Sequence, residues 1–163
     1  MKAPFIFMLL LIAPGLPIYA AEPSATRPAI YDEIADGNKQ IADALVIAKK
    51  ENKRMLLQFG ANWCGWCHKL HGLFQTNQEI ARILKENYVV VLIDVDQVDG
   101  KPHNADINKR YGNPMQHGLP AIVVLDAEGK QLHTQDTGKL EEGPQHDPAK
   151  VIAFLNAWKS VRP

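Results

Sequence analysis

Apolar residues recur at helical spacing in several stretches of the chain, with polar residues between them. Over 41–48 they fall at i, i+3, i+4 and i+7, which is one face of a helix. Asn77 and Asp147 are of the type that caps helix N-termini, and Pro148 suits the first turn after such a cap. The predicted helices lie near 41–48, 64–74, 77–84, 104–111 and 147–158.

Continuous apolar runs mark the strands between these helices. The run at 89–95 is almost entirely apolar and β-branched, which is typical of a central strand covered on both faces. The runs at 55–59 and 89–95 bracket the helices at 64–74 and 77–84 and predict a right-handed unit with two parallel strands. The run at 121–125 and the segment 131–135 flank a turn and predict an antiparallel hairpin. This order predicts an α/β fold, a small mixed β-sheet flanked by helices, in one domain over 29–163.

The N-terminal segment has the pattern of a secretory signal peptide. Lys2 precedes an apolar run over 5–13, and small residues follow near Ala20. We expect a signal peptide over 1–20, cut near Ala20, and then a linker over 21–28; an uncleaved anchor is the alternative. Export would place the chain in the periplasm or outside the cell, where thiols tend to become disulfides.

Composition and charge narrow the classes of function. The chain has 163 residues, of which 46% are hydrophobic and 22% charged, as in an ordinary globular domain. Its 18 basic and 18 acidic residues give no net charge, which argues against a nucleic-acid partner and against polybasic membrane attachment. Two cysteines are too few for a disulfide framework, so their function depends on their placement.

The two cysteines are placed for redox chemistry. Cys64 and Cys67 are three residues apart, directly after a predicted strand and at a predicted helix start. The partial positive charge of a helix N-terminus stabilises a thiolate at the first position, and the thiolate is the species that attacks disulfides. The spacing also lets the pair close a small disulfide. We therefore expect Cys64 to be the nucleophile and Cys67 to resolve the mixed disulfide.

The cysteines and the histidines beside them also match the ligands of other kinds of site. Cys64, Cys67 and His68 match the attachment motif of c-type haem. Met115 would then be a candidate axial ligand, but the flanking strands disfavour a helical cytochrome. With His71 added, the same residues could bind zinc or copper(I), although a single helix face rarely surrounds a metal. A purely structural disulfide is disfavoured because so small a loop constrains the unfolded chain little.

Two polar segments are expected to be solvated. Asp94, Asp96 and Asp99 follow a predicted strand, but their spacing does not fit the EF-hand pattern for calcium. We interpret them as solvated carboxylates at a strand end. The charged segment 139–148 is interpreted as a solvated loop.

Two motifs resemble the thioredoxin superfamily. The segment 57–67, Leu-Gln-Phe-Gly-Ala-Asn-Trp-Cys-Gly-Trp-Cys, is similar to its active-site strand and loop. Gly-Leu-Pro at 118–120, before an apolar strand, is similar to its cis-proline loop. The resemblance spans residues 38–160 and is strongest to secreted bacterial thioredoxin-like proteins. It implies a thioredoxin fold in which Cys64 is exposed, Cys67 is recessed and Pro120, after a cis peptide bond, faces the pair.

The sequence departs from the thioredoxin pattern at three places. Gln58 occupies the position of a buried acid that is thought to take the proton of the resolving thiol, so another group or water must take it here. Gly65 and Trp66 separate the cysteines in place of the Gly-Pro of the reductant thioredoxins, and Gly72 replaces a helix-bending proline. Because the dipeptide tunes the reduction potential, these residues leave the direction of electron flow open.

The positions of other residues around the cysteines also suggest roles for them. His68, one turn from Cys64, is a candidate modulator of the Cys64 pKa. Trp66 is expected to be an exposed contact for partner chains, whereas Trp63 is expected to be partly packed. The residues expected to contact substrate are Trp63, Trp66, Gly118, Leu119 and Pro120.

The expected function is thiol–disulfide exchange, with reduction of protein or small-thiol disulfides in the periplasm as the expected direction. The alternatives are disulfide oxidation or isomerisation, and a metal-binding or partner-binding module that uses the same cysteines. The cysteine pair stores two electrons, so we expect no bound cofactor and no metal. A reductant in an oxidising compartment needs an electron source, for which we expect a membrane thiol reductase.

Overall fold

Residues 27–160 are described by a computed structural model of the chain. The predicted signal peptide over 1–20 and most of the predicted linker lie outside these residues. In chain order the elements are α1 (Gly37–Glu51), β1 (Arg54–Gly60), α2 (Gly65–Thr76), α3 (Gln78–Asn87), β2 (Tyr88–Asp94), β3 (Gln97–Val98), β4 (Lys101–Pro102), α4 (Ala105–Arg110), β5 (Ala121–Leu125), β6 (Gln131–Asp136), β7 (Glu141–Glu142), β8 (Gln145–His146) and α5 (Pro148–Trp158).

A four-stranded mixed sheet in the order β2-β1-β5-β6 lies between the helices. β1 runs parallel to β2 and antiparallel to β5, and β5 runs antiparallel to β6. The predicted parallel unit, the predicted hairpin and the α/β class are confirmed. β1 and β5 are the inner strands, and every residue of β5 is buried.

The prediction that 89–95 forms a central strand is wrong. β2 lies at one edge of the four-stranded sheet, and Val90 is 38% exposed. Both α1 and α3 nevertheless pack against β2, one on each face, but they leave Val90 partly uncovered. An apolar run indicates that other elements pack on both faces of a strand. It does not indicate whether a second strand pairs with it on each side, so this pattern does not separate central from edge strands.

Alternation along β1 divides the core into two layers. Met55 and Phe59 point into the layer that contains the buried face of α1. Leu56 points to the opposite side, into a layer formed with α2, α3 and α5. Because side chains in a strand alternate, Gln58 and Gly60 lie on the same side as Leu56. These two residues therefore face the helix that carries the cysteines.

Capping side chains fix where the helices near the site begin. The Asn77 side chain accepts a hydrogen bond from the Ile80 N–H at 3.1 Å, and that of Asp147 accepts one from the Lys150 N–H at 2.8 Å. Both predicted caps are confirmed. Cys64 is itself the N-cap of α2, so the first cysteine stands at the helix entrance.

The segment 139–148 is not the solvated loop that its charge predicts. It contains the β7–β8 ribbon, which packs against α2. Lys69 Nζ of α2 donates a hydrogen bond to the Pro144 carbonyl oxygen at 2.6 Å, and His146 is only 3% exposed. Strands of two residues have no hydrophobic period, so the sequence pattern does not predict this ribbon.

Candidate active site

The cysteine pair lies where β1 passes into α2. The Cys64 N–H donates to the Ala61 carbonyl oxygen at 3.0 Å, which closes a turn after the strand. Cys64 and Cys67 are joined by a disulfide, with their Cα atoms 5.2 Å apart. The Cys64 Sγ accepts a hydrogen bond from the Cys67 N–H at 3.1 Å. In the reduced protein this amide and the helix dipole would stabilise a thiolate at Cys64.

The two cysteines differ in accessibility, although less than the resemblance implies. Cys67 is fully buried and Cys64 is 5% exposed, so Cys64 is the outer residue but is not openly exposed. Ile30 and Leu119 pack against the cluster that the pair forms with Tyr31. This cover comes from the segment before α1 and from the cis-proline loop, and neither is close to the cysteines in sequence.

The two tryptophans have the reverse of their expected environments. Trp63 is 65% exposed, whereas Trp66 is half-buried. The Trp66 ring meets the His146 ring edge-on with centroids 5.3 Å apart, and Lys69 Nζ lies 4.1 Å from the Trp66 ring centroid. The β7–β8 ribbon therefore covers Trp66, and the exposed tryptophan beside the cysteines is Trp63.

The cis-proline loop borders the same cluster. The Leu119–Pro120 peptide bond is cis, and Leu119 packs against the cysteines and Tyr31. Pro120 is buried, and its carbonyl oxygen accepts a hydrogen bond from Thr137 Oγ1. Gly118 is exposed and has a φ of 91°, a backbone region that residues with side chains rarely adopt. The structure thus brings the loop at 118–120 to the cysteine pair.

His68 holds the turn that precedes the cysteines. Its Nε2 lies 2.7 Å from the Asn62 carbonyl oxygen. The Asn62 side chain in turn accepts hydrogen bonds from the N–H groups of Ile30 at 2.8 Å and Tyr31 at 2.9 Å. His68 therefore contacts the loop before Cys64, and an effect of His68 on the Cys64 pKa stays a prediction.

Gln58 lies in β1 on the side that faces α2. It is fully buried, and its Nε2 donates a hydrogen bond to the Tyr31 hydroxyl at 2.7 Å. Gly60 lies on the same face, and a Cβ built there would fall 2.6 Å from Cys67 Sγ and closer still to the Tyr31 hydroxyl. Sequence reasoning missed Tyr31 because 27 residues separate it from Gln58 and its segment has no regular period.

Asp94 is buried at the end of β2, and its interpretation as a solvated carboxylate is wrong. It is 1% exposed, and its Oδ2 lies 3.0 Å from His103 Nδ1. Its Oδ1 has no hydrogen-bond partner within residues 27–160. The register of the sheet places Asp94 beside Gly60. The Asp94 carboxylate on β2 thus lies next to Gly60, where Cys67 Sγ approaches β1. It is the buried acid near the resolving cysteine, whereas the thioredoxin pattern places that acid at the position of Gln58.

A family model described as thioredoxin-like matches residues 36–127. The matched region contains β1, the cysteine pair, β2 and the cis-proline loop. The chain belongs to the thioredoxin-like family. The predicted membership of the thioredoxin superfamily and the predicted fold are confirmed.

Three relatives of this thioredoxin-like chain indicate its place in the family. It is 32% identical over 116 residues to the disulfide bond reductase DsbH of Chlamydia pneumoniae. This match covers 66% of this chain and 65% of the relative. It is also 29% identical over 96 residues to the thiol:disulfide interchange protein DsbD of Actinobacillus pleuropneumoniae. That match covers 58% of this chain and 15% of the relative. The chain thus spans less than two thirds of both curated relatives. The crystal structure of a disulphide isomerase from Xylella fastidiosa Temecula1 is 34% identical with a TM-score of 0.70, and the match covers 80% of this chain and 96% of that one.

Neither a membrane-spanning helix nor a metal-binding cluster is found in the part of the thioredoxin-like chain that the structure describes. Over 27–160, no helix is both long enough and apolar enough to cross a membrane. Over the same residues, no group of three or more His, Cys, Asp and Glu side chains is arranged to hold a metal ion. Cys64 and Cys67 are bonded to each other in the disulfide.

Proposed function

We propose that this thioredoxin-like protein is a thiol–disulfide oxidoreductase that reduces protein disulfides outside the cytoplasm. The observation that carries the proposal is the Cys64–Cys67 disulfide at the start of α2, where the Cys67 N–H donates to Cys64 Sγ. A sulfur in this position is stabilised as a thiolate when the pair is reduced. Similarity to proteins named a disulfide bond reductase and a disulphide isomerase supports the same chemistry.

Reduction proceeds through two exchanges at the cysteine pair. The Cys64 thiolate attacks one sulfur of the substrate disulfide, and the other substrate sulfur leaves with the electron pair and takes up a proton. Cys67 then loses its proton and attacks Cys64 Sγ in the mixed disulfide. The second substrate sulfur leaves and is protonated in turn. The substrate gains two electrons and two protons, and the protein ends with the Cys64–Cys67 disulfide.

Substrate would bind across the rim of the site. The exposed Trp63 offers an aromatic surface next to Cys64, and Leu119 packs against the cysteine cluster from the other side. In this proposal the backbone of the loop at 118–120 holds an extended segment of the substrate beside the sulfurs. Trp66 is packed under the β7–β8 ribbon and contributes to the wall of the site instead of to the contact surface.

The proposed compartment follows from the segment 1–20, which has the pattern of a signal peptide. In the periplasm the reduced form would have to be regenerated, since the surroundings oxidise thiols. We assign this task to a membrane thiol reductase. The similarity of part of this chain to part of a thiol:disulfide interchange protein supports a place in such an exchange sequence.

Disulfide isomerisation is the second candidate, because the similar protein from Xylella fastidiosa carries that name. In that reaction a thiol of the substrate, not Cys67, resolves the mixed disulfide. The reduction potential of the pair separates the directions. A value near about −270 mV favours reduction, near about −180 mV isomerisation and near about −120 mV oxidation.

Trapping with a Cys67→Ala variant tests the proposed activity. Without the resolving thiol, mixed disulfides should persist on Cys64 and be visible on non-reducing gels. The matched Cys64→Ala variant keeps one cysteine but lacks the nucleophile, and it should trap no partner. If Cys67→Ala traps no protein and the wild-type chain reduces no protein disulfide, the proposed function is wrong.

A further inference from the structure

A buried hydroxyl lies beneath the disulfide, on the side of Cys67. Tyr31 is 3% exposed and belongs to the same packed cluster as Cys64 and Cys67. Its hydroxyl and Cys67 Sγ both reach into the space that a side chain at Gly60 would otherwise fill. The two atoms therefore lie beside each other over the end of β1.

Two side chains hold Tyr31 in this place. The Asn62 side chain brackets its backbone, since Oδ1 accepts from the Tyr31 N–H at 2.9 Å and Nδ2 donates to the Tyr31 carbonyl oxygen at 3.0 Å. Gln58 Nε2 donates to the Tyr31 hydroxyl at 2.7 Å. The hydroxyl oxygen is the acceptor in that bond, so its own proton is left for a second partner.

The Tyr31 hydroxyl stays protonated. Burial is the largest influence on the pKa of Tyr31 and raises it; the hydrogen bond from Gln58 lowers it by less, and the charge of Asp94 raises it further. The pKa of Tyr31 therefore lies above its usual range. Tyr31 is therefore a neutral group at physiological pH, with a proton available for donation, and it does not act as a base.

A thiolate at Cys67 needs such a donor. Cys67 is fully buried, and its own N–H is directed to Cys64 Sγ. A buried charge without hydrogen bonds is costly, and the carboxylate of Asp94, beside Gly60, would oppose a second negative charge. A hydrogen bond to an ionised acceptor is among the stronger kinds, so one donor at this position lowers the barrier to forming the thiolate.

We propose that Tyr31 donates a hydrogen bond to the Cys67 thiolate as it forms during resolution, and that Gln58 and Asn62 position Tyr31 for this. The inference rests on the proposed function and names the group that serves the resolving thiol where the buried acid is replaced by Gln58. The Cys67 proton leaves to solvent, and the thiolate attacks Cys64 Sγ of the mixed disulfide. The substrate sulfur leaves with the electron pair and takes a proton from solvent. Tyr31 keeps its own proton throughout, so the step balances.

The Tyr31→Phe variant tests the proposal because it removes the hydroxyl and keeps the ring. Reduced protein is mixed with a symmetric disulfide of a chromogenic thiol, and a single turnover is followed across pH: the attack of Cys64 releases the first thiol, and the attack of Cys67 on the mixed disulfide releases the second. We expect the second release to slow by about 10- to 100-fold, the effect of losing a hydrogen bond to a charged group. The apparent pKa of the release rate should rise, whereas the attack of Cys64 on the same probe should keep its rate.

Two further variants make the test specific. Tyr111→Phe removes the hydroxyl of another buried tyrosine, in the core layer on the far side of the sheet, and should resolve the probe like wild type. Gln58→Leu keeps the volume of the side chain but removes the amide, and should slow release in the same direction by a smaller factor.

Three outcomes would contradict the proposed role of Tyr31. A Tyr31→Phe protein with the wild-type release rate and pH profile refutes the role of the hydroxyl. Equal slowing of the first attack and of release would also refute it, because that indicates a general disturbance of the site. If the wild-type protein does not attack the probe disulfide at all, the proposed function and this inference fail together.

Discussion

Gly60 determines how closely the buried cysteine approaches the sheet. It lies in β1 with an ordinary strand backbone, so the need for glycine is a need for space. Cys67 Sγ and the Tyr31 hydroxyl fill the volume that a side chain would take. One absent methyl group therefore allows both the disulfide and the tyrosine to lie over the same strand residue.

Gly60→Ala is expected to destabilise the oxidised protein. The added Cβ would fall 2.6 Å from Cys67 Sγ, which is too close for two heavy atoms, so the cluster must shift. Overpacking a filled core costs about 1–3 kcal/mol, and we expect a loss of that size in the free energy of unfolding. Urea denaturation of the disulfide-bonded protein measures it. A variant as stable as wild type would show that the cluster yields without cost.

Residues that act through near neighbours in the chain could be predicted from the sequence. The caps Asn77 and Asp147 and the pairing of Cys64 with Cys67 depend on contacts within a few positions. Tyr31 could not be predicted, because it reaches the site through a contact 27 residues away in sequence, from a segment without regular structure.

Among the elements, α2 carries the site and is held from outside by the β7–β8 ribbon. Lys69 bonds to the ribbon backbone, and Trp66 packs on His146. The sequence predicts α2 well because a strand, a turn and an apolar face define it. The ribbon and the cover over Trp66 escape prediction because two-residue strands leave no period to detect, and the charge of 139–148 suggests solvent.

The burial of His146 makes the stability of the protein sensitive to pH. Burial, with a smaller contribution from the positive charge of Lys69, lowers the pKa of His146 from 6.5 to about 4. Between these values the unfolded chain binds more protons than the folded one, so stability should fall as the pH falls through this range.

A His146→Phe variant isolates this effect, since it keeps an aromatic ring against Trp66 but cannot be protonated. Free energies of unfolding measured above and below the titration range should depend less on pH in the variant than in wild type. Identical pH dependence in the two proteins would mean that other groups cause it.

Gly72 lies inside α2, where a Cβ would meet no atom within 4 Å. Glycine in a helix interior is unfavourable relative to alanine by about 0.5–1 kcal/mol, so Gly72→Ala should raise the free energy of unfolding by that amount. Urea denaturation, as for Gly60→Ala, measures this gain. The two variants together compare a methyl group added where the space is filled with one added where it is open. A decrease in stability would contradict the open surroundings of Gly72.

At the scale of the whole molecule, the thioredoxin-like fold follows from patterns that extend over whole elements. Helical and strand periods define the order of the elements, and the helical connection between β1 and β2 is of the kind that joins parallel strands. The position of a strand within the sheet is a long-range property, and the apolar run of β2 does not reveal that it lies at an edge.

Export is a prediction for the whole chain. When the full sequence is expressed in a bacterium, we expect the mature protein in the periplasmic fraction without residues 1–20, as measured by mass spectrometry. A Leu10→Arg variant, which interrupts the apolar run, should remain uncleaved. Recovery of the intact wild-type chain from the membrane fraction would support the anchor alternative.

The central claim is that Cys64 and Cys67 pass two electrons to substrate disulfides. A single-turnover reaction between the fully reduced protein and a disulfide-bonded protein substrate tests this most directly, with the thiols of both counted at the end. We predict that each protein molecule reduces one substrate disulfide and acquires the Cys64–Cys67 disulfide, while a Cys64→Ser variant leaves the substrate oxidised. A substrate that stays oxidised beside a pair that stays reduced, or a Cys64→Ser protein that reacts as fast as wild type, would contradict the claim.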